Sequence, residues 1–348
     1  MAKGRIGLDI GSTAVRAVEL MGSPLAVVRA SQVALPPGAV ESGEIRDPGA
    51  VSDAIRTLWS EGGFKGREAW LGVGNQRVVV REIALPFLPD SELRSSLGFQ
   101  VQEFIPMPVD DAVLDYNPIG EFEQEDRRML RMLLVAAQRS MVDLVVEAVK
   151  GAKLEPMGID LIPFALVRSV GATDEALDLE AGVVEEAIVD IGAHVTNIVV
   201  HARGETRFVR ILPSGGRDVT MAIARSAGVE DDIAERLKRG EEVEGAPAPQ
   251  QIRQAALQRA AAFVDEVRSS IEFYTAQAKE ARIGKVLVTG GGSRLEGLFE
   301  LMRQRIPVPV EPGAVFGHVP HQLDQADVVA AEPLLAVAIG LALPEENA

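Results

Sequence analysis

One short pattern occurs twice in this chain and limits its architecture more than any other feature. Ile6-Gly-Leu-Asp-Ile-Gly-Ser-Thr-Ala-Val-Arg-Ala-Val-Glu-Leu20 has a counterpart in Ala187-Ile-Val-Asp-Ile-Gly-Ala-His-Val-Thr-Asn-Ile-Val-Val200. Each is an apolar β-rich run, then Asp-Ile-Gly, then a second β-rich run, which predicts a hairpin with an acidic residue and a tight glycine at its turn. Two such hairpins about 180 residues apart imply a chain made of two similar halves. A length of 348 residues fits that division better than one undivided core.

Composition narrows the function classes. Apolar residues make up 47% and charged residues 25%, enough to bury a sizeable core. A formal charge of −16 gives no general footprint for nucleic acid or an anionic membrane face, so neither is expected as a partner. The chain has no cysteine, which excludes disulfides, thiolate metal sites and cysteine nucleophiles. Its four histidines, His194, His201, His318 and His321, lack HExxH spacing, and no zinc site is expected. The N-terminus lacks the apolar stretch of a signal peptide, and the longest apolar run, Leu334 to Leu343, is about half the ~20 residues that span a bilayer. A cytoplasmic location is expected.

Between the hairpins, Val51 to Trp59 has helical periodicity and Trp70 to Leu85 reads as strand. Ser91 to Phe104 and Met141 to Ala152 read as helices. Ala112 to Phe122, Met129 to Ala137 and Leu154 to Leu161 read as extended. With the strand before Pro86 this gives β-α-β-β-α-β, a small subdomain inserted in the first half. In the second half Met221 to Lys238 and Gln250 to Gln277 read as helices around an exposed acidic loop, Glu241 to Pro249. Lys285 to Thr289 reads as a strand entering Gly290-Gly-Gly-Ser293, with helices from Leu298 and over Glu332 to Leu341. The expected boundaries are 1–85 with 155–185 for the first lobe, 86–154 for the insert, 186–220 with 282–348 for the second lobe, and 221–281 for a helical subdomain of that lobe.

The three glycine turns have the parts of a phosphate site. Proteins meet a phosphate chain with backbone N–H groups at glycine turns and with a divalent cation. Gly11 and Gly192 permit close backbone approach, Ser12, Thr13 and Thr196 carry hydroxyls, and Arg16 is a fixed charge on the strand leaving the first turn. Asp9 and Asp190 could hold Mg²⁺ through its retained waters. Gly290, Gly291, Gly292 and Ser293, between a strand and a helix, suit a ribose or phosphate lying against the backbone. Either Asp-Ile-Gly alone is equally an ordinary hairpin turn, and the three turns together shift the balance. GxxxxGK[ST], GxGxxG after a strand, GxSxG and HRD signatures are all absent.

Together these segments resemble the superfamily of actin, heat-shock chaperones and sugar kinases, whose fold has two ribonuclease-H-like halves around a nucleotide cleft. Asp9-Ile-Gly-Ser-Thr with Arg16 resembles its first phosphate loop, Asp190 to Asn197 its second, and Thr289 to Gly297 its adenosine loop. Gly215-Gly216-Arg-Asp-Val-Thr220 is similar to an actin segment, and Glu235 and Lys238 stand where that fold contacts adenosine. Gly158 to Leu166 and Ala336 to Leu341 resemble its two connecting helices. The position of the insert, Phe99 to Pro108, Leu114 to Tyr116, Leu133 to Ala137 and Arg268 to Tyr274 resemble the PilM family, in the branch shared with the division protein FtsA. The chain ends in acidic Pro-Glu-Glu-Asn-Ala348, unlike the basic membrane helix usual in FtsA.

That resemblance implies an α/β, actin-like, cytoplasmic protein of the type IV pilus or type II secretion platform that binds ATP and Mg²⁺. Its implied partner is the cytoplasmic N-terminal tail of a PilN-type single-span membrane protein, with other platform proteins and the assembly ATPase as further partners. Recruitment to the inner membrane would be indirect, with no insertion of this chain. Ala193, His194 and Val195 depart from the chaperone pattern, so at most weak hydrolysis is expected. Two alternatives remain: a filament or division protein, and a small-molecule kinase in which Asp160 takes a proton from the acceptor. The plainer reading of Asp160 is a turn or helix start.

Overall fold

The computed structural model describes residues 4–171, 185–278 and 282–344, with backbone alone at 325–330. The chain opens with three antiparallel strands, β1 (Arg5–Ile10), β2 (Ala14–Met21) and β3 (Ala26–Ala34), then a tight β4 (Val40–Glu41) and β5 (Glu44–Ile45) hairpin. Helix α1 (Pro48–Gly62) follows. Its start and stop are written locally: Asp47 accepts from the Ala50 amide at 2.9 Å, and Gly63 takes the left-handed conformation at φ 66°. Strand β6 (Glu68–Val73) returns to the sheet beside β1 in parallel.

Next come β7 (Val78–Pro86), α2 (Asp90–Val101), β8 (Ala112–Gln124), β9 (Arg127–Gln138), α3 (Arg139–Gly151) and β10 (Glu155–Leu161), then α4 (Ile162–Val170). This is the expected β-α-β-β-α-β order, and its parts divide between two cores. Strands β7, β9 and β8 form a three-stranded antiparallel sheet that packs with α2 around Ile83, Leu93, Leu97, Met132 and Leu134. Met141, Val145 and Val149 of α3 instead pack with α1, and β10 joins the first sheet beside β6.

The second half contains β11 (Glu185–Ile191), β12 (Thr196–Ala202), β13 (Glu205–Leu212), α5 (Gly216–Ala227), α6 (Asp231–Lys238) and α7 (Pro249–Gln277). It ends with β14 (Ile283–Thr289), α8 (Leu298–Arg305), β15 (Val310–Pro312) and α9 (Gln325–Ala342). Its sheet, β13-β12-β11-β14-β15, repeats the first sheet, β3-β2-β1-β6-β10, in order and in the sense of every pairing. The duplicated hairpin is thus the visible part of a duplicated half. Helices α4 and α9 lie between the sheets and share one core with Val18, Ile188 and Val199. Gly340 allows α9 to lie against the Ala165 carbonyl of α4, where a Cβ would collide with backbone.

Three details differ from the sequence reading. Trp70 to Leu85 is two strands, because Gly74-Asn75-Gln76-Arg77 leaves the first sheet before β7 begins the inserted one. Met221 to Lys238 is not one helix but the end of α5 and all of α6, interrupted where Gly228 caps α5 at φ 66°. The connecting helix expected over Gly158 to Leu166 starts at Ile162, since Gly158 to Leu161 complete β10 against β6. The segment 172–184 and the acidic tail 345–348 lie outside the described residues.

Candidate nucleotide cleft

Both duplicated hairpins deliver their turns to one cavity of about 1470 Å³ between the halves. The turns close with the same hydrogen bond, Gly11 N to Ala14 O at 3.0 Å and Gly192 N to Val195 O at 2.9 Å. The register is also equivalent: Asp9 lies opposite Arg16 on β2, and Asp190 lies opposite Asn197 on β12. Each carboxylate is held by that cross-strand neighbour. Arg16 donates to Asp9 Oδ2 and Asn197 Nδ2 donates to Asp190 Oδ2, both at 3.3 Å.

Asp9 and Asp190 are 7% and 8% exposed, so keeping either charged is costly unless it is paired. Burial pushes the Asp9 carboxyl up, opposed by the charge and hydrogen bond of Arg16. Burial pushes Asp190 up to about 6; the Asn197 hydrogen bond pulls it down, the Asp9 charge adds to the rise and Arg16 opposes it. Arg16 Nε and Asn197 Oδ1 are buried without a hydrogen-bond partner among the described residues. Two crowded carboxylates and two orphaned polar atoms around one cavity match what a hydrated divalent cation and a phosphate chain require.

The Gly290 turn forms another wall. Gly290 sits at φ 84°, and a Cβ there would come within 2.5 Å of the Ile191 carbonyl, so the turn presses directly on the second hairpin. The Gly290 amide donates to Pro333 O of α9 at 2.9 Å, fixing the turn to the helix between the halves. At the start of α5, Asp218 Oδ2 accepts from Gly215 N at 3.0 Å, which holds Gly215 and Gly216 at the cavity edge. Lys238 donates to Glu235 Oε2 at 2.6 Å and to Gly216 O at 3.2 Å, and Thr220 Oγ1 lies 2.5 Å from Glu235. Burial alone would raise the Glu235 carboxyl, but the Lys238 and Thr220 hydrogen bonds, with the charges of Lys238 and Arg239, hold it below the usual range.

Of the residues singled out in the sequence, Asp9, Gly11, Ser12, Thr13 and Arg16 line the cavity from the first half. Asp190, Gly192, Asn197, Gly215, Gly216, Glu235 and Lys238 line it from the second, with Gly290, Gly291 and Gly292. Thr196 and Ser293 are not among the lining residues. The Thr196 hydroxyl is fully buried and donates to Ser214 O at 2.8 Å, and the Ser293 hydroxyl donates back to Gly290 O at 2.7 Å. Both brace loops rather than face the cavity. The acidic loop from Glu241 is exposed as expected, and Glu241, Glu242 and Glu244 also line the cavity. Nothing in the local composition of that loop could reveal this.

One contact crosses the cleft that the sequence did not announce. The Ser42 amide, in the β4–β5 turn of the first half, donates to His194 Nδ1 of the second hairpin at 3.1 Å. That geometry needs an unprotonated ring nitrogen. Burial and the nearby Arg217 lower the His194 pKa, against the opposing charges of Glu41 and Asp218.

Asp160, the candidate base of the kinase reading, is ion-paired with Arg168, and Arg168 Nε donates to Gly340 O at 3.0 Å. It also accepts from the Leu161 amide at 2.7 Å, immediately before α4. Its surroundings are those of a clamp between β10, α4 and α9.

Comparison with known proteins gives the fold a context. A family model described as type IV pilus assembly protein PilM matches residues 7–346. A chain of a solved PilM–PilN type IV pilus biogenesis complex is 29% identical, with a TM-score of 0.85 and 97% of each chain covered. The cell division protein FtsA of Pseudomonas aeruginosa is 28% identical over 57% of this chain, and the match spans about half, 49%, of that relative's length. MreB5 of Spiroplasma citri bound to ADP is 13% identical at a TM-score of 0.56, with 97% of this chain and 95% of that chain covered, a likeness of fold alone. The fold is actin-like. Among the described residues no helix is long and apolar enough to cross a membrane.

Proposed function

The chain belongs to the PilM family of type IV pilus assembly proteins, and from that premise we propose that it is an ATP-binding scaffold of the pilus platform at the inner membrane. One observation carries the nucleotide part of this reading. Two buried carboxylates occupy equivalent positions of a duplicated hairpin and face one cavity, walled by the Gly290 turn. Asp9 and Asp190 would hold Mg²⁺ through its waters, with Asn197 Oδ1 as a further acceptor. The amides of Gly11 and Gly192, the hydroxyls of Ser12 and Thr13, and Arg16 would meet the phosphates. Gly215, Gly216, Glu235, Lys238 and the Gly290 to Gly292 turn would hold the nucleoside. Bound Mg²⁺ would offset the mutual repulsion of carboxylates and phosphates.

The second turn carries Ala193, His194 and Val195, and its one nearby hydroxyl, Thr196, is used on Ser214. That supports binding over rapid turnover. The known PilM–PilN assembly supports a partner of the same kind, the cytoplasmic tail of a PilN-type membrane protein, through which this chain would reach the membrane from the cytoplasm. Nucleotide would close the two halves and favour one shape of the partner surface, because a ligand shifts a conformation only through its differential affinity for the two states. A synthetic PilN-type tail peptide should bind purified protein with an affinity that changes at least about fivefold on adding Mg-ATP. Failure to bind either ATP or the peptide contradicts the reading, and stoichiometric phosphorylation of a sugar or acetate would replace it with the kinase one.

A further inference from the structure

The inserted sheet stands on two feet, and both are tied to the turn that touches His194. The first foot is where β7 leaves the first half. There Asn75, 1% exposed, donates from Nδ2 to Gly43 O at 2.8 Å, and its Oδ1 accepts from Arg77 N at 2.9 Å. The second foot is the end of β9, where Gln138 N donates to Arg77 O at 3.1 Å and Gln138 Oε1 accepts from the Arg77 guanidinium. Arg77 Nε also donates to Glu44 Oε1 on β5 at 2.5 Å. One arginine therefore joins the entrance of the inserted sheet, its exit and the β4–β5 hairpin.

That hairpin and Gly74 make the near wall against the second half. Ser42 and Gly43 both have positive φ, 51° and 74°, the shape of a type I′ turn, which points the Ser42 amide at His194. A Cβ on Gly43 would lie 3.4 Å from Val195 Cγ2, and one on Gly74 would lie 2.9 Å from Asn197 Oδ1. So the residues after Gly192, which would meet a phosphate, lie against the β4–β5 turn and against Gly74, the residue just before Asn75. Farther along, β7 also packs against β13, the strand hydrogen-bonded to β12. Val80 of β7 and Ile211 of β13 both pack on the core of the first half and on the core between the sheets, and Ile211 is the register partner of Asn197.

We infer that the stem Asn75 to Arg77, gripped through the Ser42-Gly43 turn against His194, is the link by which occupancy of the second phosphate turn sets the orientation of the inserted sheet. This rests on the nucleotide-gated scaffold reading and names how its gate is transmitted. The leverage is favourable. Twelve residues of β9 extend about 40 Å, so a rotation of about 5° at the feet moves the far end by about 3–4 Å. Packed interfaces of this kind switch between discrete arrangements instead of deforming smoothly.

Neither Arg77, which is exposed, nor Asn75 lines the cavity, but Asn75 holds Gly43, which does, so Arg77→Ala is the cleaner change. The test measures the affinity of a synthetic PilN-type tail peptide with and without Mg-ATP in the full-length protein and in Arg77→Ala and Asn75→Ala. Wild type should show a nucleotide effect of about fivefold or more. Arg77→Ala should reduce it to within about twofold while leaving ATP affinity unchanged within about twofold. Asn75→Ala should do the same, and because Asn75 is buried, Arg77→Ala decides if that variant fails to fold. As a second readout, amide exchange at Val78 to Val80 should slow on adding Mg-ATP in wild type and not in Arg77→Ala. A full nucleotide effect surviving in Arg77→Ala overturns the link and spares the scaffold reading, whereas no nucleotide effect in wild type overturns both.

Discussion

The hairpins β1–β2 and β11–β12 share a turn hydrogen bond, a register and a buried aspartate, and they stabilise that aspartate in opposite ways. The first places a guanidinium across the strand pair, so Asp9 has a counter-charge before any ligand arrives. The second places a neutral amide there, and Asp190 is left near the point of taking up a proton, at about 6. The turn of the first hairpin carries hydroxyls, Ser12 and Thr13, while that of the second carries His194, bonded across the cleft. The same backbone thus supports a carboxylate with a charged partner and one with a neutral partner, and burial raises both. Movement on ligand binding is expected from the Asp190 side, where the carboxylate has no charged partner on its own hairpin and His194 bonds the β4–β5 turn.

The sharpest way to break this contrast is to make the first hairpin resemble the second. Arg16→Asn removes the counter-charge of a carboxylate that is 7% exposed, and should lower the stability of the empty protein by about 3 kcal/mol in urea unfolding at neutral pH. A change below about 0.5 kcal/mol would mean that Arg16 does not neutralise Asp9.

Asp190→Asn comes next. Loss of a carboxylate acting through metal-bound water should weaken Mg-ATP by about 10–100-fold. Asp9→Asn should cost less, because it frees Arg16 to meet a phosphate. Equal losses in calorimetric titration would erase the asymmetry.

The pH dependence of the empty protein follows from the direction of the Asp190 shift. The folded carboxyl keeps its proton up to about pH 6 and the unfolded one loses it near the usual 3.8, so the folded state binds more protons in between. Stability then falls as pH rises from about 4 to about 6 and levels above that. Asp190→Asn should lose the Asp190 share of this decline, keeping that of Asp9, and be more stable than wild type by about 1–3 kcal/mol above pH 6, with the gap closing toward pH 4. The smallest effect belongs to Asn197→Ala, which removes one hydrogen bond to the charged carboxylate. It should cost about 1 kcal/mol at neutral pH and move the midpoint of the decline upward.

The hairpins and the Gly290 turn were readable in the sequence because each is local: strand, tight turn and strand are consecutive, and their chemistry follows from residue types at short spacing. The order of the inserted elements was readable for the same reason. What escaped depends on residues far apart in the chain. Periodicity could not divide Trp70 to Leu85, because apolar residues run through both resulting strands, and the break depends on Asn75 reaching Gly43. Thr196 and Ser293 have the right chemistry for a ligand, but neighbouring carbonyls take their hydroxyls first. Ser42 with His194, 152 positions apart, and the acidic loop along the cavity become visible only once the halves are assembled.

The central claim is that the two unequal hairpins together hold one Mg-ATP. Its most direct test is calorimetric titration of ATP into the wild-type protein with Mg²⁺ and again with EDTA. The account predicts a single site that weakens at least about tenfold when the cation is removed. Equal binding in both buffers, or none in either, would contradict it.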